Sequence, residues 1–310
     1  MLLIFHFDFC ILNFGIHNPV LLNEVLYVFN PQKGHVVIDA TINGGGHARA
    51  LSERIGKEGR LLGIDRDCSL IERLREQSER AGIKNMELVC GSFADIEKIA
   101  NAKKFLEANG ILFDLGFSSY HIEESQRGFS FLRDELLDMR YNPQEDTLTA
   151  AQIVNTRALT DLEKIIREWG EERFARNIAK GIVRARERKH ISTTKELADI
   201  ITRSIPPKFR HRRVHAATRS FQAIRIAVNE EFEHIRNGLE GALRVLGEGG
   251  VLGIISFHSL EDRMVKNYFQ EQKRAGLYDI LTPHPIRASA LEIKENPRAR
   301  SANLRAIQKI

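Results

Sequence analysis

Four short stretches place glycines, acids and aromatics where a nucleotide-like ligand could be held: Gly44-Gly45-Gly46-His47, Asp65, Phe93 and Asp114. Consecutive glycines after an apolar run let the backbone approach a ligand closely, since glycine lacks Cβ and tolerates positive φ. Asp65 follows Gly44 by about 20 residues, the spacing at which an acid accepts hydrogen bonds from ribose hydroxyls. A dinucleotide would also need glycine at the third position of G-x-G-x-x-G, and counting from Gly44 that position is Arg49. S-adenosylmethionine has no pyrophosphate to cradle. It needs a close backbone for its amino-acid moiety, a ribose acid, an apolar wall for adenine and an acid near the sulfonium. His47, Asp65, Phe93 and Asp114 supply candidates in that order, so S-adenosylmethionine is expected and a nicotinamide oxidoreductase is the disfavoured rival.

The elements that must position these groups are legible around them. "HVVIDATI" (35–42), "GRLLGIDRD" (59–67), "MELVC" (86–90) and "GILFDLG" (110–116) are short apolar runs of the kind buried on both faces of a parallel sheet. Between them, "HARALSERIG", "CSLIERLREQSERAG" and "ADIEKIANAKKFL" read as helices. This alternation predicts an α/β fold, with ligands beyond the carboxyl ends of the strands. From 117 to about 215 only helix patterns appear. One long helix is then expected, carrying an apolar stripe of Phe221, Ile224, Val228, Phe232, Ile235, Leu239, Leu243 and Leu246. "GGVLGIISF" (249–257) returns to a buried strand. The expected organisation is an apolar extension at 1–15, an α/β domain in two parts at 16–116 and 216–310, and a helical insertion at 117–215.

Charge is unevenly placed. The net charge of the chain is +5, yet residues 176–219 hold thirteen Lys/Arg against Glu187, Glu196 and Asp199. "PPKFRHRRVHAATR" packs its cations without alternating acids, which suits a polyanion partner better than a solvated helix face. Cys10, Cys68 and Cys90 lie far apart with no C-x-x-C pair, which argues against a disulfide framework or cysteine zinc site and suits a reducing cytosol. The apolar "MLLIFHFDFCILNFG" lacks a basic start and is too short to span a bilayer, so no membrane association is expected and the compartment is read as cytoplasmic.

From about His17 onward the chain resembles the RsmH (MraW) family, the small-subunit ribosomal RNA cytosine-N4 methyltransferases. The resemblance rests on "HNPVLLNEVL" (17–26), "DATINGGGH" (39–47), "GIDRD" (63–67), "ILFDLGFSS" (111–119), "RGFSF" (127–131) and "LDMR" (137–140). It continues through "GEERFARNIAKGIVRAR" (170–186), "HAATRSFQAIRIAVNEE" (215–231), "ISFHSLEDRMVK" (255–266) and "NPRARSANLR" (296–305). It implies a class I (Rossmann-like) S-adenosylmethionine-dependent methyltransferase sheet with an inserted all-helical domain. The implied reaction is methylation of the exocyclic N4 of a cytosine in the decoding region of 16S ribosomal RNA, on naked RNA or an assembling 30S subunit. The implied cofactor contacts are Gly45, Gly46, His47, Asp65, Phe93 and Asp114. A further contact, normally glutamine in a segment resembling "SSPQLD", falls on His121 in "SSYHIE".

The chemistry sets the remaining expectations. A cytosine amine is a poor nucleophile because its lone pair is delocalised into the ring. It must be aligned with the S–CH3 bond while the charge developing on nitrogen is stabilised. Asp114 is the first candidate acceptor, with a purely cofactor-positioning role as the alternative. His258 could bind the base or relay the proton; otherwise it is a structural histidine, with Ser259 capping the next helix. Arg225 and Asn229, four apart on one helix, could reach RNA or be ordinary surface residues. Arg210, Arg212, Arg213 and Arg219 are the expected phosphate grips, with Arg298, Arg300 and Arg305 as further candidates. No metal is required. The sequence leaves the oligomeric state open, a homodimer included. A DNA amino-methyltransferase would carry an (Asp/Asn/Ser)-Pro-Pro-aromatic motif where this chain has "DLGF". A non-catalytic assembly protein would bind the cofactor without transferring its methyl.

Overall fold

The computed structural model describes residues 19–116, 125–210 and 215–310. His121, Arg212 and Arg213 lie outside the described residues. Strands β1 (Val36–Asp39), β2 (Arg60–Asp65), β3 (Met86–Cys90), β4 (Ala108–Asp114) and β5 (Leu246–Ser256) run parallel. With β6 (Tyr278–Ile280) and β7 (Asn303–Lys309) they form one sheet in the order β3-β2-β1-β4-β5-β7-β6, β7 being antiparallel to both neighbours. The order reverses between β1 and β4, so the ligand crevice of such a sheet lies at their carboxyl ends.

Because side chains alternate along a strand, each buried run supplies two cores. Ile38, Leu62, Ile64, Ile111 and Phe113 pack on one face with Ala100 of α4 (Ile96–Lys103). Val37, Leu61 and Leu112 pack on the other with α1 (Leu22–Phe29), α2 (Gly46–Ile55) and α3 (Cys68–Arg80) through Val25, Leu51 and Ile71.

A third core belongs to a helical lobe built from α5 (Ala150–Thr156), α6 (Leu159–Glu168), α7 (Ala175–Arg186) and α8 (Thr194–Ser204). Two of these helices start on capping boxes, Thr149 with Gln152 and Thr193 with Glu196. The single long helix expected after residue 215 is two: α9 (Thr218–Asn229) and α10 (Glu231–Val245), broken at Glu230 with φ 49°. The reason is packing. Phe221, Ile224 and Val228 enter the helical core, whereas Ile235, Leu239 and Leu243 enter the sheet core. One apolar stripe serves two cores, and the chain must bend between them. The helical core thus extends to Val228, beyond the limit at 215 expected from sequence.

Two further features differ from expectation. Strands β6 and β7 were not foreseen, and the second of them buries Leu304, Ala306 and Ile307 completely. Cys68 and Cys90 are joined by a disulfide, with their Cα atoms 5.0 Å apart, although sequence spacing argued against one. The strand register explains it: Cys90 sits opposite Asp65, and Cys68 opens the helix that leaves the same turn. Among the described residues no helix is long and apolar enough to cross a membrane.

Candidate active site

The glycine turn connects β1 to α2 at the reversal point. Gly45 caps α2 with φ 77°, a conformation that favours glycine, and a Cβ there would meet the Leu74 side chain at 3.0 Å. Asn43 ties the turn to both neighbouring strand ends. Its backbone N–H donates to Asp65 Oδ2 at 3.0 Å, and its side-chain amide donates to the Asp114 carbonyl oxygen at 3.4 Å. Asp65 Oδ1 accepts the Asp67 N–H at 2.9 Å. Phe93 leaves the third strand end half-buried, edge-on to Phe113 with ring centroids 5.5 Å apart. Helix α10 approaches so closely here that a Cβ on Gly238 would lie 2.8 Å from the Phe93 ring. Asn43 thus bonds the turn to the ends of β2 and β4, and Phe93 follows the end of β3 on the same carboxyl edge of the sheet, which is the candidate cleft.

Asp39, absent from the sequence-level candidates, is the deepest group in it, at 1% exposure. Burial pushes its carboxyl up to about 7, helped by the nearby Asp65 charge and opposed by the backbone amides of Thr41 and Ala48. Asp114 is raised well above the usual carboxylate range, first by burial and then by the charges of Asp39 and Glu261. Asp39 Oδ2 and Asp114 Oδ1 are buried without a hydrogen-bond partner. His47 Nε2 lies 2.9 Å from the Val20 carbonyl oxygen. A carbonyl only accepts, so Nε2 carries the proton and Nδ1, 3.7 Å from Asp114 Oδ2, is an acceptor. Burial holds this imidazole neutral, lowering it to about 4. The cleft therefore gathers acceptor atoms of three buried side chains, two of them carboxylate oxygens left unpaired. Such a site suits a cationic ligand, and S-adenosylmethionine fits it with a donating ammonium and a positively charged sulfonium.

Beyond β5 a second cluster forms. His258 is the N-cap of α11 (Ser259–Arg274), in a reciprocal box with Glu261, so the cap is His258 and not Ser259. Its Nδ1 accepts the Glu261 N–H at 3.3 Å, leaving Nε2 as the protonated nitrogen, buried and 3.2 Å from Glu261 Oε1. Glu261 is held below the usual carboxylate range: burial raises it, but His258, Arg225 and the Phe257 N–H outweigh that. Arg225 and Asn229 are buried, correcting the expectation that they reach RNA as surface groups. Arg225 forms a two-bond pair with Glu231 at 2.7 and 2.9 Å, and Asn229 accepts from the Tyr141 N–H and donates to the Met139 carbonyl. Both residues build the bend at Glu230. Glu231, His258 and Glu261 bring ligand-capable atoms within 4.8 Å of one another. The guanidinium already compensates Glu231, and no cation is assigned there.

The expected phosphate grips divide. Arg210 donates to the carbonyls of Ile205 and Arg203, and Arg219 to that of Glu171, so both are anchored at the surface of the helical lobe. Arg305 is buried in a two-bond pair with Asp262 and is structural.

Comparison with known proteins shows the family of the chain. A family profile described as the MraW methylase family matches residues 15–310. The chain belongs to that family. A relative from Persephonella marina, called ribosomal RNA small subunit methyltransferase H, is 46% identical over 295 residues, covering 95% of this chain and 99% of its own. One of the same name from Symbiobacterium thermophilum is 42% identical over 309 residues, covering 95% and 96%. This methylase thus has a class I, Rossmann-like methyltransferase fold with an inserted helical domain, and its cofactor is S-adenosylmethionine.

Sequence reasoning missed Asp39, Asn43, Tyr141, Glu231 and Glu261. Two carried signals. Asp39 is the lone acid ending an apolar strand before the glycine turn, and Glu261 stands three residues after His258, the spacing of a capping box.

Proposed function

We propose that this methylase transfers a methyl group from S-adenosylmethionine to the exocyclic N4 of a cytosine in the decoding region of 16S ribosomal RNA, on naked RNA or the assembling small subunit. The cofactor supplies the methyl as an electrophile on a sulfonium. Gly45, Gly46 and the amino end of α2 seat its amino-acid end beside Asp39 and His47. Asp65 accepts from the ribose hydroxyls, and Phe93 packs against the adenine.

The observation that carries the reading is the unpartnered Oδ1 of Asp114 at the end of β4, with His258 following the end of the neighbouring strand β5. An acceptor on one strand end and an imidazole N–H after the next would complement the amine and ring-acceptor edge of cytosine. Asp114 accepts an N–H of the amine and orients its lone pair for transfer; to offset the charge that develops on nitrogen its raised carboxyl must be ionised, which a positive charge held nearby favours. His258 donates to the acceptor edge of the ring and, through Glu261, offers a route for the lost proton. The base must leave its stack to enter. Arg210 and Arg219 hold the flanking phosphates from the helical lobe, and Arg212 and Arg213 add further cations for the same role.

Mass-spectrometric mapping of cytosines in small-subunit RNA, incubated with the cofactor and either the wild-type protein or Asp114→Asn, tests this directly. The reading requires one N4-methylcytosine that the variant fails to produce at the wild-type rate. Methylation of another base, or an unimpaired variant, overturns it.

A further inference from the structure

The turn that ends β2 does more than present a carboxylate to the cleft. The two residues after Asp65 reach across to the helical lobe and grip the same stretch of it from two sides. Arg66 donates to Asp146 Oδ1 at 2.7 Å and to the Asn229 carbonyl oxygen at 3.4 Å. Asp67 accepts from Arg127. Arg127 donates in turn to the carbonyls of Arg140 at 3.2 Å and Tyr141 at 2.7 Å, while Asp146 accepts the Asn142 N–H at 3.0 Å. Between these clamps, the Tyr141 N–H is held by Asn229 at 2.9 Å and its hydroxyl donates to Glu231 at 3.1 Å. Tyr141 therefore sits in the acid–imidazole cluster on the base side of the site.

The four clamping side chains are largely withdrawn from water, with exposures of 14% and 17% for Arg66 and Asp146, and 14% and 6% for Arg127 and Asp67. Ion pairs this buried hold their geometry, and removing one partner is felt strongly. The link to the cofactor runs through Asp65 itself. Its Oδ1 holds the Asp67 N–H, and ribose hydroxyls would compete for that oxygen. Any readjustment of Asp65 is passed to Asp67 and hence to Arg127.

We propose that Arg66, Asp67, Arg127 and Asp146 are positioning residues that fasten the Tyr141 segment to the ribose turn, so that cofactor occupancy and the seating of RNA are coupled. This rests on the reading of Asp65 as the ribose acid. By linkage the coupling is reciprocal: each ligand tightens the other by the same factor.

The test measures the affinity of purified small-subunit ribosomal RNA with and without saturating S-adenosylhomocysteine, and the affinity of that compound alone. Wild-type protein should bind RNA at least about fivefold tighter when S-adenosylhomocysteine is present. In Arg127→Gln the enhancement should fall below twofold, with S-adenosylhomocysteine affinity in the absence of RNA changed less than threefold, and Arg127→Lys should restore part of it. Asp146→Asn, on the more exposed clamp, gives the same reading should Arg127→Gln fail to fold. An enhancement absent from wild type, or retained in a folded Arg127→Gln or Asp146→Asn, overturns the inference. Asp65→Ala separates the two readings. Wild-type affinity for S-adenosylhomocysteine in that variant refutes the ribose assignment, whereas lost affinity alongside an uncoupled wild type refutes only the coupling.

Discussion

Asp39 gives the sharpest prediction, because its buried carboxyl is raised to about 7 and one oxygen has no partner. In the free protein near pH 7, about half a proton rides on this group. A cationic donor placed against Oδ2 favours the ionised form, so binding S-adenosylmethionine should release about half a proton per site at pH 7, nearly a full one at pH 6 and about a tenth at pH 8. Apparent affinity should therefore fall about tenfold for each pH unit below 7, since only the ionised fraction is competent. Titration calorimetry in two buffers of different ionisation heat, phosphate and Tris, reads the proton count directly. Asp39→Asn should cut the released protons sharply and flatten the affinity profile. S-adenosylhomocysteine keeps the ammonium and loses the sulfonium charge, so equal proton release from both compounds places the ammonium at Asp39. If binding to wild type releases no protons between pH 6 and 7, the acceptor-rich cleft is not where the cation sits. Stability supplies an independent check of sign. With the folded value above the unfolded 3.8, the stabilisation is complete below 3.8 and is lost as pH rises through about 7. That gap corresponds to about 4 kcal/mol at pH 8, so cofactor-free Asp39→Asn should melt higher than wild type there.

His47 runs the opposite way. Its folded value of about 4 lies below the unfolded 6.5, so its contribution is complete above 6.5 and lost as pH falls through 4, and a neutral His47→Gln should lessen the loss of Tm in acid. Opening the Cys68–Cys90 disulfide by reduction or Cys68→Ser frees a loop of 22 residues. The chain-entropy model sets its cost at about 3 kcal/mol, to be read from denaturant midpoints with and without reductant. Glu231→Gln leaves the Arg225 guanidinium buried without its counter-charge, and chemical denaturation should show a loss of about 3–5 kcal/mol. An Arg225→Met, Glu231→Leu double variant should recover most of it. Neutralising Arg210, Arg212 and Arg213 together should weaken RNA binding and lower the slope of log affinity against log salt by about two or more; an unchanged slope removes these residues from the phosphate contacts.

The sheet was legible because the runs that form it are short and apolar. The candidate residues Asp65, Phe93 and Asp114 close or follow their strands, where parallel topology puts ligand sites. The carboxyl-terminal strands were not legible: in "NLRAIQK" an arginine interrupts the apolar run, and the Asp262 carboxylate compensates its burial. The disulfide was hidden because its cysteines are 22 positions apart in sequence, and only the β2–β3 register brings Cys90 opposite Asp65, near the helix that Cys68 opens. Arg225 and Asn229 misled for a related reason. On a helical wheel they lie off the apolar stripe and read as solvent-facing, yet their partners Glu231, Tyr141 and Met139 come from around a bend that periodicity does not register.

That bend ties the parts of the site together. Residues before Glu230 pack in the helical lobe and residues after it pack on the sheet, so its left-handed backbone fixes the angle at which the helical lobe meets the sheet. A non-glycine residue holds φ 49° only if its surroundings make the alternatives worse. Here the surroundings are the Arg225–Glu231 pair spanning the bend, Asn229 holding Tyr141, and Arg66 reaching the Asn229 carbonyl from the ribose turn. Each is a polar contact with a definite geometry, where an apolar one would allow sliding. The buried charges at this junction are therefore better understood as setting orientation than as adding stability. Their expected signature follows: replacing the Arg225–Glu231 pair by well-packed apolar residues should preserve the fold while lowering kcat far more than cofactor affinity.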